Sequence, residues 1–163
     1  MAAGGVRIAV DVADMAAAET LLARMGDADS TDLMTNIGAL LESSTRERIE
    51  ETKTAPDGTA WPANREGTST LLRTGRHLRD SLAFIASRDQ VEVGAAWEFA
   101  HVHQFGAIIK PSKSPMLVFR LLGRVVRAAK VTIPARAFVG VSAADERDIV
   151  HLATDWLNAL GAR

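Results

Sequence analysis

Two stretches, Phe99-Ala-His-Val-His-Gln-Phe-Gly106 and Ile133-Pro-Ala-Arg-Ala-Phe-Val-Gly140, decide how this chain is read. They bracket a region without carboxylates. Between Glu98 and Asp145 stand Lys110, Lys113, Arg120, Arg124, Arg127, Lys130 and Arg136, and no Asp or Glu. Those are seven of the 19 basic residues and none of the 20 acidic ones, so a formal net charge of −1 conceals a segment of +7 and a remainder of −8. Such segregation predicts two surfaces of opposite sign.

Working outward, Ala95 to Phe105 places Trp97, Ala100, His101 and Gln104 at helical spacing, with Gly106 as its cap. Leu117 to Lys130 supports two readings. Arg120, Arg124 and Arg127 at spacings of four and three suit a helix with one basic stripe; the β-branched residues and Gly123 suit a hairpin. Val131 to Ile133 should be extended, because the residue before Pro134 is pushed out of the α region. At the C-terminal end, Ser142 and Asp145 resemble a capping box, and Ile149, Ala153, Trp156, Leu157 and Leu160 form one apolar helical face.

Upstream, Val6 to Val12 alternates as a half-buried strand, and Ala13 to Met25 is composed of good helix formers. Ser30, Thr31 and Asp32 offer N-caps to a long helix with Leu33, Ile37, Leu40, Leu41 and Ser44 on one face. Its polar tail, Thr45 to Lys53, is expected to project from the core. Pro56-Asp57-Gly58 is turn chemistry, and residues 55–70 read as a long loop pinned by Trp61. Leu71 to Leu82 begins as a short helix or turn. Leu82 to Ala86 and Gln90 to Val93 then form a hairpin around Ser87-Arg88-Asp89, ended by Gly94.

The totals predict one domain over residues 1–163, since a chain of this length buries roughly 70% of its unfolded surface. No run approaches the ~20 apolar residues that span a bilayer, and the first residues lack the basic and apolar regions of a secretory signal. The expectation is a protein made in a cytoplasm. The absence of cysteine removes disulfides, thiolate metal sites and cysteine nucleophiles.

No catalytic constellation emerges. His101 and His103, two apart on a helix, point to different faces, whereas zinc-binding helices space their histidines by three or four. Neither a phosphate-binding Gly-rich loop nor a Gly-x-Ser-x-Gly elbow is present, and Glu47, Glu50 and Glu51 read as a solvated face. No cofactor, metal or small-molecule substrate is expected. The basic segment has a bland reading as a solvated strand edge, and a functional one as a surface facing an acidic subunit or passing DNA. Arg73, Arg76 and Arg79 make a smaller cluster explained by solvation. Trp61, Trp97 and Phe105 are either core anchors or interface residues, which their exposure separates.

Five pieces occur in an order that resembles the Mu-like phage virion morphogenesis family. They are Pro56-Asp-Gly-Thr-Ala-Trp61, Leu72-Arg-Thr-Gly75-Arg-His-Leu78-Arg-Asp-Ser81, Val91-Glu-Val-Gly94, and the two stretches quoted at the outset. The resemblance runs from about residue 30 to 160, with Phe99 where the family usually has Tyr. It implies an α+β subunit with a mixed or antiparallel sheet, a long helix in the N-terminal half, a C-terminal helix packed on it, and an extended basic hairpin over residues 107–133. It further implies a structural part of the virion, not an enzyme: a tail-completion or head-tail joining protein at the neck or head-proximal tail end. Partners would be further copies of itself in a ring, a hexamer before a dodecamer, with the tail tube, the head connector and, non-specifically, the passing DNA. The motif residues expected to be structural are Trp61, Gly75, His103, Gln104, Phe105, Gly106, Pro134, Arg136 and Phe138. Arg136 is expected in a buried or interfacial ion pair, Phe138 beneath the last helix, and the seven cations at a subunit interface or channel. A nucleic-acid-binding accessory of DNA packaging is the competing reading, and a small hydrolase a third.

Overall fold

The computed structural model describes residues 28–72 and 77–162, together with Ala23 and Gly26. The strand expected at Val6 to Val12 and most of the helix expected at Ala13 to Met25 lie outside the described residues, as do Arg73, Gly75 and Arg76. In chain order the elements are α1 (Thr31–Glu47), continued by a π-helical turn (Arg48–Thr52), α2 (His77–Asp80), β1 (Leu82–Ala86), β2 (Val91–Ala95), α3 (Ala100–Phe105), β3 (Ala107–Ile109), β4 (Leu117–Leu121), β5 (Arg124–Ala128), β6 (Val131–Ile133) and α4 (Ala143–Gly161). The fold is α+β. Helix α1 packs against the β1–β2 hairpin on one side and α4 on another.

The start of α1 is stapled to that hairpin and not capped by the expected hydroxyl. Ser30 occupies the cap position, but its Oγ donates to the Arg88 carbonyl at 2.5 Å, while the Asp29 carboxylate accepts from the Thr31 N–H and O–H. Arg88 reaches back to the carbonyls of Gly26 and Ala28. Further along, Leu33 and Ile37 are buried, and the Phe84 ring lies directly over Gly38, where an added Cβ would come within 2.2 Å of it. The missing side chain at Gly38 is what lets strand β1 approach the helix.

The tail of this helix reverses the expectation that it projects. Thr45, Arg48 and Ile49 are among the most buried residues described. The cause is a polar network that satisfies Arg48, together with a π register in which the Lys53 N–H bonds the Arg48 carbonyl at 3.0 Å. Ile49, Trp61, Leu78, Leu82, Ala100 and Phe138, drawn from six separate segments, form the core cluster. Helix α4 contributes none of them. Phe138 therefore packs among these residues and not beneath α4, whose expected apolar face is only half-buried.

Of the two readings of Leu117 to Lys130, the hairpin is observed. Leu122 and Gly123, both at positive φ (51° and 75°), make the two-residue turn between the paired Leu121 and Arg124. Two positive φ values define the turn whose twist matches paired strands. Strands β3 and β6 pair as well, from Ala107↔Ile133 to Ile109↔Val131. The two pairs are separate two-stranded sheets that follow one another along the same two limbs of chain, here called the ribbon, with residues 110–116 linking them on one limb and 129–130 on the other. The helix expected over Ala95 to Phe105 is shorter, because Ala95 ends strand β2 and the Ala96 N–H bonds the Ser81 carbonyl. Gly94 lies within β2 and does not end it.

Candidate functional site

The two defining stretches are knitted into one unit at the base of the ribbon. Gln104 is the clamp: its Oε1 accepts from the N–H groups of Phe138 and Val139 at 3.0 and 3.1 Å, and its Nε2 donates to the Val139 carbonyl at 2.9 Å. The Arg136 N–H bonds the His103 carbonyl at 2.7 Å. Gly106, at φ 73° and ψ 165°, lies so close to the following strand exit that a Cβ would meet the Ala135 nitrogen at 2.8 Å. That backbone region is open to glycine almost alone. The loop of residues 55–70 is pinned as expected, Trp61 donating its indole N–H to the Ala137 carbonyl at 2.9 Å.

Arg136 is buried, 6% exposed, yet forms no ion pair with any described residue. Its Nε and Nη2 donate to the carbonyls of Pro62 and Ala63 at 2.8 and 3.3 Å, and Nη1 bonds nothing among the described residues. Among the described residues, carbonyl capture of the loop stands in place of the buried form of the expected ion pair, while the interfacial form concerns a neighbouring copy; burial lowers the guanidinium's proton affinity. A buried ion pair lies elsewhere among the described residues, between Arg48 and Asp145. Sequence reasoning missed it, although Arg48 continues the apolar stripe of α1 after Leu41 and Ser44, a position where a cation calls for a buried partner.

Above Arg136, Trp97 stacks against His77 and His103 with ring centroids 6.4 and 5.7 Å apart, and Phe99 meets it edge-on at 5.5 Å. Burial, and then the charge of Arg136, hold His103 below the usual histidine range, and its Nδ1 is buried without a hydrogen-bond partner. His101, two residues earlier, is exposed. His77, Trp97, His103 and Arg136 line one side of a cleft of about 880 Å³ whose other side is the ribbon, and the ribbon's Leu122 N–H bonds the Glu66 carboxylate at 3.1 Å. The aromatics divide: Trp61 is core, Trp97 half-buried on the cleft lining, and Phe105 78% exposed, as an interface residue would be.

All six remaining cations, Lys110, Lys113, Arg120, Arg124, Arg127 and Lys130, fall on the ribbon, exposed and with no hydrogen bond or ion pair to any described residue. Apolar side chains stand among them. Val118 faces Arg127 across the strands and Val125 faces Arg120, both valines more than half exposed, with Ile108, Met116 and Leu122 exposed nearby. Arg79, by contrast, is paired with Glu50 and Asp80, so the smaller basic cluster is partly neutralised. Among the described residues no three His, Asp or Glu side chains come together as a metal site, and no helix is long and apolar enough to cross a membrane.

Neither a curated protein nor a solved structure matches the chain. The sequence profile of one family does, over residues 11–158. With most of its length accounted for in this way, the chain belongs to the phage virion morphogenesis family, whose members are structural and assembly proteins of the virion.

Proposed function

We propose that this chain completes the phage tail and joins it to the head, in the manner of the Mu-like members of its family. Copies assemble as a ring, a hexamer before a dodecamer, at the head-proximal tail end. The ring halts tube growth, presents a face to the head connector and leaves a bore for DNA. The observation that carries this reading is the ribbon: six cations with no partner among the described residues, interleaved with exposed apolar side chains. A chain with a +7 segment and a −8 remainder has complementary surfaces for heterologous contacts, the kind that close into rings.

The competing role in DNA packaging is disfavoured by the same ribbon. Phosphates reward cations, but nothing on the outside of a duplex rewards the exposure of Val118, Leu122 and Val125. A protein surface with an acidic rim and an apolar centre rewards both.

The test is the parent phage carrying Arg120→Glu, Arg124→Glu and Arg127→Glu together. Separate filled heads and tails in electron micrographs are expected, and tails of abnormal length would assign the chain to tail termination. Intact, infectious particles would overturn the proposal.

A further inference from the structure

The cleft beneath the ribbon is built for an occupant with two kinds of chemistry. Part of its wall is apolar, Leu117, Phe119 and Leu121 from β4 and Val131 and Ile133 from β6, and charged side chains, Arg65, Glu66 and Arg120, line the rest. It also holds the buried Arg136 guanidinium, which is bonded to no carboxylate among the described residues, and a buried imidazole nitrogen of His103 without a partner there. A buried charge without a counter-ion is costly, and a carboxylate that reaches it forms a charge-assisted hydrogen bond that offsets part of that cost. The fitting ligand is therefore a carboxylate carried beside an apolar side chain.

This chain displays such a pair in the open. Strands β1 and β2 turn Leu82, Phe84 and Val93 toward α1, which leaves Ala83, Ile85 and Glu92 on the outer face. Ile85 is 73% exposed and is the direct cross-strand partner of Glu92. Among the described residues the Glu92 carboxylate accepts one hydrogen bond, from Gln90 Nε2 at 3.3 Å. Arg136 lies in the carboxylate-free segment, and the pair lies in the acidic remainder, so charge complementarity matches one copy's cleft to another copy's hairpin.

We propose that the cleft receives the Ile85–Glu92 face of the β1–β2 hairpin of a neighbouring copy, Ile85 against the apolar wall and the Glu92 carboxylate on Arg136 and His103. The contact is heterologous, one surface against a different one, and so propagates around a ring. It rests on the ring reading above, and it names the surfaces that make the ring.

Three single-site variants test it, because Ile85 and Glu92 are exposed and the chain has no native cysteine. Wild type, Ile85→Ser and Glu92→Gln are weighed by light scattering across a concentration series, with circular dichroism to confirm folding. Phe119→Cys, or Leu121→Cys should the first disturb the wall, is treated with a maleimide in the assembled and the dissociated fractions. The wild type is expected to assemble. Each surface variant should need about tenfold more protein to do so, and the cleft cysteine should label about tenfold more slowly in the assembly. Assembly of Ile85→Ser and Glu92→Gln at wild-type concentrations, or equal labelling in both fractions, would overturn this contact and leave the ring reading standing. A wild type that stays monomeric throughout would overturn both.

Discussion

Arg48, in the π-helical turn, and Asp145, in the first turn of α4, form an ion pair although 97 residues separate them, and their side chains are only 6% and 5% exposed. Each also serves a second purpose. Arg48 Nη1 bonds the carbonyls of Phe138 and Gly140 at 3.2 and 2.9 Å, and Nη2 the Ser44 hydroxyl at 2.9 Å. Asp145 completes the capping box of α4, its Oδ2 accepting from the Ser142 N–H and O–H, both at 2.7 Å. This one side chain, Arg48, therefore ties the π-helical turn that ends α1, the segment of residues 138–140 and α4 together.

Removing one partner leaves the other buried and unpaired. Arg48→Met should cost about 3–5 kcal/mol, the usual penalty for stranding a buried charge. Urea unfolding measures it; a loss below about 1 kcal/mol would show that water reaches Asp145 in the variant.

The same pair sets the acid limit of stability. Burial alone raises the Asp145 carboxyl, but hydrogen bonds from Ser44 and Ser142 and the charge of Arg48 outweigh it, and the net position is below the ordinary value of 3.8. A depressed carboxyl contributes stability in full above its unfolded pKa and loses it as pH falls through the folded one. Thermal unfolding should accordingly weaken below about pH 4 in the wild type. Asp145→Asn should be less stable at neutral pH and show a shallower decline in that range.

His103 is lowered by burial and then by Arg136, from an ordinary value of 6.5. The folded state favours the neutral imidazole, so its contribution is present above the unfolded pKa and declines as pH falls toward the folded one. A proton NMR titration should find the His103 ring titrating clearly below the ordinary value of 6.5, and His103→Asn should identify its resonance by removing it. Titration of that resonance at the ordinary value would contradict the burial of this ring.

Two backbone positions give opposite signs. Leu122 adopts a left-handed conformation in the ribbon turn, and its side chain is largely exposed. Leu122→Asn supplies the residue this turn prefers before glycine and should stabilise by about 0.5–1 kcal/mol.

Gly106→Ala should do the reverse. It combines a glycine-only conformation with a backbone clash at Ala135, and a loss of about 2 kcal/mol or more is expected in chemical denaturation.

Much of this was legible in the residues themselves. Alternation along β1 and β2, the Ser142–Asp145 capping box, the loop anchored by Trp61 and the carboxylate-free basic ribbon each depend on near neighbours or on composition, which local physics reads directly. Turn chemistry at Gly123 was visible too, but periodicity there served helix and hairpin equally, and strand pairing decided between them. Other features were settled only by tertiary structure. The tail of α1 looked solvated because its residues are polar; it is buried because Arg48 finds carbonyls and a carboxylate about a hundred residues away. Arg136 looked like half of a buried or interfacial ion pair, and within the chain folding set it against two carbonyls on the lining of a cleft. Phe138 looked bound for α4, and packs instead with residues from five other segments. The division has one physical reason: a residue's conformational preference is its own, whereas its burial and its partner depend on which distant segment the fold brings beside it.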